Sequence, residues 1–302
     1  MENNIYDQLC EAAGEECVKL NENMSSHTTF RIGGAAEYFV APRTTEGVEG
    51  TLKLCREQQI PFYVIGNGSN ILVSDEGVSG VILQIGNGLS DMNFQEGRLV
   101  VQAGTMLTKA ANLAARQGYT GMEFAVGIPG TVGGAIAMNA GAYGGEIKDV
   151  IVSATVLTKE GKLLTLTRGE LELGYRSSRI AREQYVVLEA EFCLEPGNAE
   201  EIKAACEKNM KARMEKQPLE YPSAGSTFKR PKGYFAGKLI MDAGLRGFQV
   251  GDAQVSEKHC GFLINRGKAT AEDMQKLIQQ VQTRVQETYG VTLEPEVKMI
   301  GF

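Results

Sequence analysis

The stretch Gly127–Glu146, GIPGTVGGAIAMNAGAYGGE, sets the narrowest limit on what this chain folds into. Seven of its twenty residues are glycine and one is charged, so the backbone there approaches something closely enough that side chains are left out. A shorter segment of the same kind, Gly66-Asn67-Gly68-Ser69-Asn70, follows directly on the apolar run Phe62–Ile65. Where Cβ atoms are missing, successive backbone N–H groups turn inward together and hold phosphate oxygens without a cationic side chain. A diphosphate needs two such lobes, and Ser69, Asn70, Thr131 and Asn139 add candidate side-chain donors. One isolated pentapeptide would read more simply as a bulge or tight turn in a β-rich domain, but two dense segments favour a ligand. Neither segment is a G-x-G-x-x-G between strand and helix, and no G-x-x-x-x-G-K-[ST] occurs, so Rossmann and P-loop assignments fail.

Other classes are excluded by what the chain lacks. Its two histidines, His27 and His259, lie far apart in sequence, which rules out a histidine-rich metal site and disfavours a Ser-His-Asp triad; no metal is expected. Six cysteines occur without a Cys-x-x-Cys pair and read as reduced packing residues. A net charge of −6 argues against nucleic-acid binding. No apolar run is long enough to span a membrane and the first residues do not resemble a secretory signal, so a cytoplasmic protein is expected; a monomer is expected too, although the sequence does not settle the oligomeric state. Within this acidic chain, Lys203–Lys232 carries eight cations against three anions, a candidate landing zone for a phosphorylated ligand or simply an exposed helix with i,i+4 pairs.

At 302 residues, two or three packed units are expected. Alternating runs predict strands at residues 62–65, 71–73, 81–85, 98–102 and 186–194, and a hairpin over 151–167 turning at Lys159-Glu-Gly161. Helices are expected at 45–59, 108–117, with Gly118 as its stop, and 200–216. The clearest helix starts at Thr270, with Asp273 completing a capping box, and ends at Gly290. The connector Glu195-Pro-Gly-Asn198 predicts a boundary between domain 1–199, with subdomains near 1–88 and 89–199, and domain 200–302.

Taken together and in order, TTFRIGGAAEYFV, GNGSNILV, GIPGTVGGAIAMNAGAYGGEI, YRSSR, AGSTFKRP and LEPEVKMIG make the chain resemble the UDP-N-acetylenolpyruvoylglucosamine reductase (MurB) family from about Asn23 to the C-terminus. The resemblance implies an α+β protein: an FAD-binding domain of the vanillyl-alcohol-oxidase (PCMH) type built from two α+β subdomains, then a smaller α+β substrate domain whose C-terminal strand, 293–302, returns toward the flavin. It implies non-covalent FAD, NADPH as reductant, and UDP-N-acetylglucosamine enolpyruvate as substrate, NADPH and substrate taking turns in one cleft. It also implies that Ile65, Gly66, Asn67, Gly68, Ser69 and Asn70, with Pro129, Gly130, Thr131, Gly133, Gly134, Asn139, Gly141, Ala142 and Tyr143, line the cofactor, and that Arg31 and Arg213 lie near it.

For the chemistry, the resemblance implies three residues. Hydride arriving at the enolpyruvyl group builds negative charge into its carboxylate, and Arg176 matches the family arginine, whose planar fork suits a carboxylate. Glu296 matches the glutamate acting on the same group; a carboxylate beside a carboxylate is favourable only when protonated, with a raised pKa, or bridged by the arginine, and Ser226 matches the proton donor. Tyr175 and Lys229 are expected substrate contacts. One departure stands out: only Glu195–Ala199 occupies the place where the longer branch of the family inserts a tyrosine-bearing loop, which makes this a short-branch sequence. Two rival readings remain open, a flavin oxidase of the same fold and a non-catalytic flavin- or nucleotide-binding module.

Overall fold

The computed structural model describes residues 5–302. The chain forms two compact units, the first from the residues up to Leu20 with Tyr38–Asn67 and Gly80–Arg213, the second from Asn21–Glu37, Gly68–Ser79 and Met214–Phe302.

The first unit is organised by a five-stranded sheet in the order Leu163–Thr167, Ile151–Leu157, Val186–Cys193, Arg98–Gln102, Met92–Gln95, every neighbour antiparallel. The expected hairpin is present, closed by Thr158 N donating to Lys162 O at 2.9 Å. Leu99, Val101, Ala154, Ala190 and Phe192 turn one sheet face into the core, where Leu107, Ala110, Ala111 and Ala114 of helix Leu107–Arg116 join the same buried cluster. Phe62–Ile65 pairs in parallel with the strand Val78–Gln84, in register from Phe62↔Val81 to Ile65↔Gln84. Helix Thr45–Glu57 is capped by the Thr44 hydroxyl, which accepts from Gly47 N at 3.1 Å. A short helix, Val132–Ala137, which two glycines hide from a propensity reading, lies against Val186–Cys193 and is capped by Thr131.

The second unit is built on helix Ala271–Tyr289, whose Met274, Leu277, Ile278, Val281 and Val285 form the buried stripe that helical spacing predicts. Thr270 and Asp273 form the expected capping box, and Gly290 (φ 66°) ends the helix in the left-handed conformation glycine tolerates best. The sheet Gln249–Val250, Ala253–Val255, Leu263–Asn265 packs with it. The C-terminal strand Lys298–Ile300 returns to pair in parallel with Ile71–Val73, the strand that follows Asn70.

The units depart from the boundary expected near residue 200: the break comes at Arg213/Met214, inside helix Ala199–Lys216, and Asn21–Glu37 and Gly68–Ser79 belong with the C-terminal third. Long-range hydrogen bonds inside the second unit explain this. Besides the parallel strand pair, Asn265 Nδ2 donates to Phe30 O at 3.0 Å, and the Asp75 carboxylate accepts from Ala271 N (2.8 Å) and Glu272 N (3.0 Å) at the start of the long helix. Such pairings join segments about 200 residues apart, which a linker-based reading does not see.

Asp75 supplies an anion and two acceptors to helix N–H groups that otherwise lack partners. Asp75→Ala is therefore expected to lower stability by about 1–2 kcal/mol, read as a lower urea midpoint at unchanged m-value; an unmoved midpoint would contradict that role.

Candidate active site

In the first unit, a cavity of about 980 Å³ is lined by Tyr63, Val64, Ile65 and Gly66 on one side and by Thr131, Gly133, Gly134 and Ala137 on another, with Ile85, Ile180 and Val187 adding apolar surface. Its volume suits a large organic cofactor. The two glycine-dense segments meet here. Asn67 Nδ2 donates to Pro129 O at 2.7 Å, and a Cβ built on Gly66 would stand 2.2 Å from Thr131 Oγ1, so only glycine lets the two segments close together. Tyr63 and Val64 are each 39% exposed on a strand, apolar surface available to a planar ligand.

The two segments offer different things to a ligand. Along Asn67–Gly68–Ser69 no backbone N–H donates to a protein acceptor among the described residues, which is what an anion cradle requires. In the second segment the N–H groups of Val132, Gly133 and Gly134 are already taken, by Thr105 O (2.8 Å), Ala103 O (2.9 Å) and Thr131 Oγ1 (3.3 Å). Its glycines mostly admit the protein itself: Gly127 lies under the Arg213 stem, Gly133 against Ala103, Gly141 against Glu146 and Gly145 against Phe124. Within the second segment the N–H groups of Gly130 and Thr131, like those of Asn67–Ser69, donate to no protein acceptor among the described residues, so its open amides lie at its start and its helix amides are taken.

The remaining predicted residues of this unit sit around that segment. Gly141–Ala142 and Gly145–Glu146 form a tiny hairpin with Tyr143 (φ 51°) and Gly144 (φ 90°) at its tip, the backbone of a two-residue turn with both φ values positive. Tyr143 is half-exposed there and interacts with Arg213, whose pKa burial pushes below the usual arginine value while Tyr143 acts in the opposite direction. Gly130 O accepts from Leu107 N, fixing the start of the segment to the helix behind it. Asn139, 1% exposed, does not offer its side chain to a ligand: Nδ2 donates to Glu146 Oε2 (2.8 Å) and Gly174 O (3.0 Å), and Oδ1 accepts from Lys148 N (3.0 Å). Tyr175 and Arg176 occupy the tip of a tight turn closed by Gly174 and Ser177, with the guanidinium 5.4 Å from the Tyr175 ring centroid.

In the second unit, the predicted residues converge on one short ladder. The segment Ser226–Lys229 is flanked on one side by Gly261–Leu263, through the Ser226↔Phe262 bridge and Thr227 N to Gly261 O, and on the other by Glu294–Glu296. Glu296 N donates to Thr227 O at 2.8 Å and Lys229 N to Glu294 O at 2.9 Å, which sets Ser226 and Glu296 on neighbouring strands. Asn70 then joins both ends of the Glu296 strand: its Nδ2 donates to Glu296 O (3.1 Å) and its carbonyl accepts from Lys298 N (3.0 Å). Ser226 is exposed and Glu296 partly exposed, both open to a ligand, while Lys229 pairs with Glu294. Arg31 (φ 56°) sits in the turn Thr28–Ile32, held to the glycine loop by Thr29 N donating to Gly68 O at 3.1 Å. His259 is no part of this ladder's chemistry: it stacks edge-on against Phe262 and burial lowers its pKa.

Nine non-glycine residues among those described have a left-handed backbone, and four of them are Arg31, Asn139, Tyr143 and Arg176. Each such residue costs on the order of 1 kcal/mol, and concentrations of this strain mark working sites. Motif reading did not reach the cavity's apolar lining, Ile180 and Val187 among it, because apolar residues on a core helix and strand look the same whether they face a neighbour or a cofactor.

Comparison with known proteins bears on this geometry. Residues 36–167 match the FAD binding domain family and residues 217–300 the UDP-N-acetylenolpyruvoylglucosamine reductase C-terminal domain family. The chain is 54% identical to the UDP-N-acetylenolpyruvoylglucosamine reductase of Lachnoclostridium phytofermentans, with 100% of this chain and 98% of that protein covered. It is 46% identical to the enzyme of the same name from Clostridioides difficile, with 98% of each covered. Among solved structures, the UDP-N-acetylenolpyruvylglucosamine reductase of Thermus caldophilus superposes with a TM-score of 0.81 at 34% identity, covering 94% of this chain and 98% of that one. An alkyldihydroxyacetonephosphate synthase at 19% identity and TM-score 0.50 covers 65% of this chain and 41% of its own, a likeness of fold alone.

Gly66→Ala is expected to carry markedly less flavin per purified chain than wild type, whereas Gly169→Ala, with nothing within 4 Å of the added methyl, keeps it. Equal flavin-to-protein absorbance ratios in the two variants would show that the close approach of Gly66 to Thr131 is not needed to hold the flavin.

Proposed function

Because this chain belongs to the UDP-N-acetylenolpyruvoylglucosamine reductase family, whose fold and FAD-binding domain it carries, we propose that it reduces UDP-N-acetylglucosamine enolpyruvate to UDP-N-acetylmuramate with NADPH, a cytoplasmic step of peptidoglycan synthesis. The observation that carries the proposal is the ladder in which Asn70, at the end of the glycine loop, bonds the backbone around Glu296 while Glu296 bonds the strand of Ser226. A residue of the proposed cofactor loop and two proposed catalytic residues are thereby tied together by three hydrogen bonds, although they stand about 150 and 70 residues apart in the chain.

The cavity and the loop fit FAD: apolar walls for a ring system, unpartnered amides for a diphosphate. Bound there, FAD supplies the two-electron carrier that lets NADPH and the enolpyruvate react without meeting. This chain's own residues then have separable tasks. Asn67, Gly68 and Ser69 hold the diphosphate through backbone N–H groups. Arg176 holds the enolpyruvyl carboxylate and stabilises the charge that gathers on it as hydride is added. Ser226 hands a proton to the carbon left electron-rich; a hydroxyl is a weak acid, so it acts only on a strongly basic carbon. Glu296 acts on the same group from the strand beside Ser226. Tyr175 and Lys229 bind the rest of the substrate, with Arg31, Tyr143 and Arg213 bordering the cofactor.

The purified protein is expected to be yellow, to bleach with NADPH in the absence of oxygen, and to recolour on addition of the UDP-linked enolpyruvate with a lactyl-ether product. Rapid recolouring by oxygen with no response to the enolpyruvate would favour an oxidase instead. Ser226→Ala is expected to slow recolouring far more than bleaching, and equal effects on both would remove Ser226 from proton donation. Arg176→Ala is expected to raise the barrier by about 3 kcal/mol, the scale of one lost oxyanion donor; an unaltered kcat would refute its role.

A further inference from the structure

The turn that carries Arg176 is short and backbone-strained, and its own closure rests on two bonds, Gly174 N to Ser177 O at 3.0 Å and Ser177 N to Gly174 O at 3.2 Å. Arg176 sits in it with φ 51°, a conformation that a residue with a Cβ does not hold unless its surroundings impose it. Two buried side chains impose it from either foot of the turn. At one foot, Asn139 Nδ2 donates to Gly174 O at 3.0 Å. At the other, Ser178 Oγ donates to Ala137 O at 2.7 Å. Asn139 and Ser178 are 1% and 2% exposed, so water does not compete for either bond. Ala137 belongs to the cavity wall, and Asn139 lies two residues beyond it.

We propose that Ser178 and Asn139 are positioning residues for Arg176: they lock its left-handed turn to the wall of the flavin cavity and so fix where the guanidinium stands when the substrate carboxylate arrives. The assignment rests on the reductase reading above. Asn139 also organises the Tyr143 hairpin through Glu146 and Lys148, so changing it disturbs more than the arginine turn. Ser178 is the cleaner probe, although its hydroxyl has a second task, accepting from Ala181 N at 3.0 Å as the N-cap of helix Arg179–Glu183. Glycine caps a helix nearly as well as serine, so Ser178→Gly removes the bond to Ala137 with little loss of the cap. Ser178→Thr keeps a hydroxyl able to make both bonds.

The test follows flavin absorbance anaerobically in two steps, bleaching by NADPH and recolouring by the UDP-linked enolpyruvate, for wild type, Ser178→Gly, Ser178→Ala and Ser178→Thr. Ser178→Gly is expected to bleach at the wild-type rate and recolour about a hundredfold more slowly, the effect of misplacing a catalytic group by about 1 Å, with Ser178→Thr restoring recolouring. Ser178→Ala gives the same reading should the glycine variant not accumulate as yellow protein. Recolouring at the wild-type rate, or equal slowing of both steps, overturns the proposal, and so does failure of both variants to fold, which would assign Ser178 to the fold alone. A wild-type protein that bleaches but does not recolour with the enolpyruvate refutes the functional reading itself and takes this proposal with it.

Discussion

A pair of hydrogen bonds from one asparagine sets the frame of the second unit. Asn70 donates its side-chain amide to Glu296 O and accepts from Lys298 N on its own carbonyl, so the end of the glycine loop is stitched into the C-terminal strand before that strand pairs with Ile71–Val73. Because a parallel ladder continues from that stitch, moving Asn70 would move Glu296, and through Glu296 N the Thr227 backbone beside Ser226. The glycines upstream of Asn70 have no side chains to obstruct this arrangement: a Cβ on Gly68 would stand 1.9 Å from His27 O. Close backbone approach, rather than any large side chain, is what lets the loop run directly into the sheet strand that follows it.

The same economy of atoms recurs in the first unit with a different outcome. There the glycines of Gly127–Glu146 let Arg213, Ala103, Glu146 and Phe124 press against the backbone, and the resulting wall holds the strained residues Asn139 and Tyr143. The buried Asn139 side chain in this region is fully used, donating two hydrogen bonds and accepting one. Networks of that kind are rigid because breaking any one bond leaves a buried polar group without a partner. Rigidity at the feet of the Arg176 turn fits the role proposed for its guanidinium, since preorganised charge acts without reorganising as a reaction proceeds.

Much of this was legible in the sequence, and the parts that were not share a cause. The helix Ala271–Tyr289 was readable from Thr270, Asp273, its apolar spacing and Gly290, because caps and periodicity are local signals. The sheet strands at 98–102, 151–157 and 186–193 were readable from alternation for the same reason. The partition of the chain was not, because the bonds of Asp75 to the long helix and of Asn265 to Phe30 join distant segments. Glycine density singled out two segments but does not by itself separate a Cβ missing for a ligand from one missing for the protein's own packing, since both demand the same residue. Asn139 looked like a ligand donor and proved to be a structural hub, while Ser178 gave no signal beyond its place in YRSSR.

The account stands on the backbone amides of Asn67, Gly68 and Ser69 holding the cofactor's diphosphate. Residue-resolved amide hydrogen exchange, on the flavin-free protein and after FAD is restored, tests this directly. Those three amides are predicted to slow by about tenfold or more when FAD binds, a tenfold change corresponding to about 1.4 kcal/mol, while amides already bonded within the protein, such as Gly133 N, change far less. Exchange at Asn67–Ser69 that is indifferent to FAD would contradict the account.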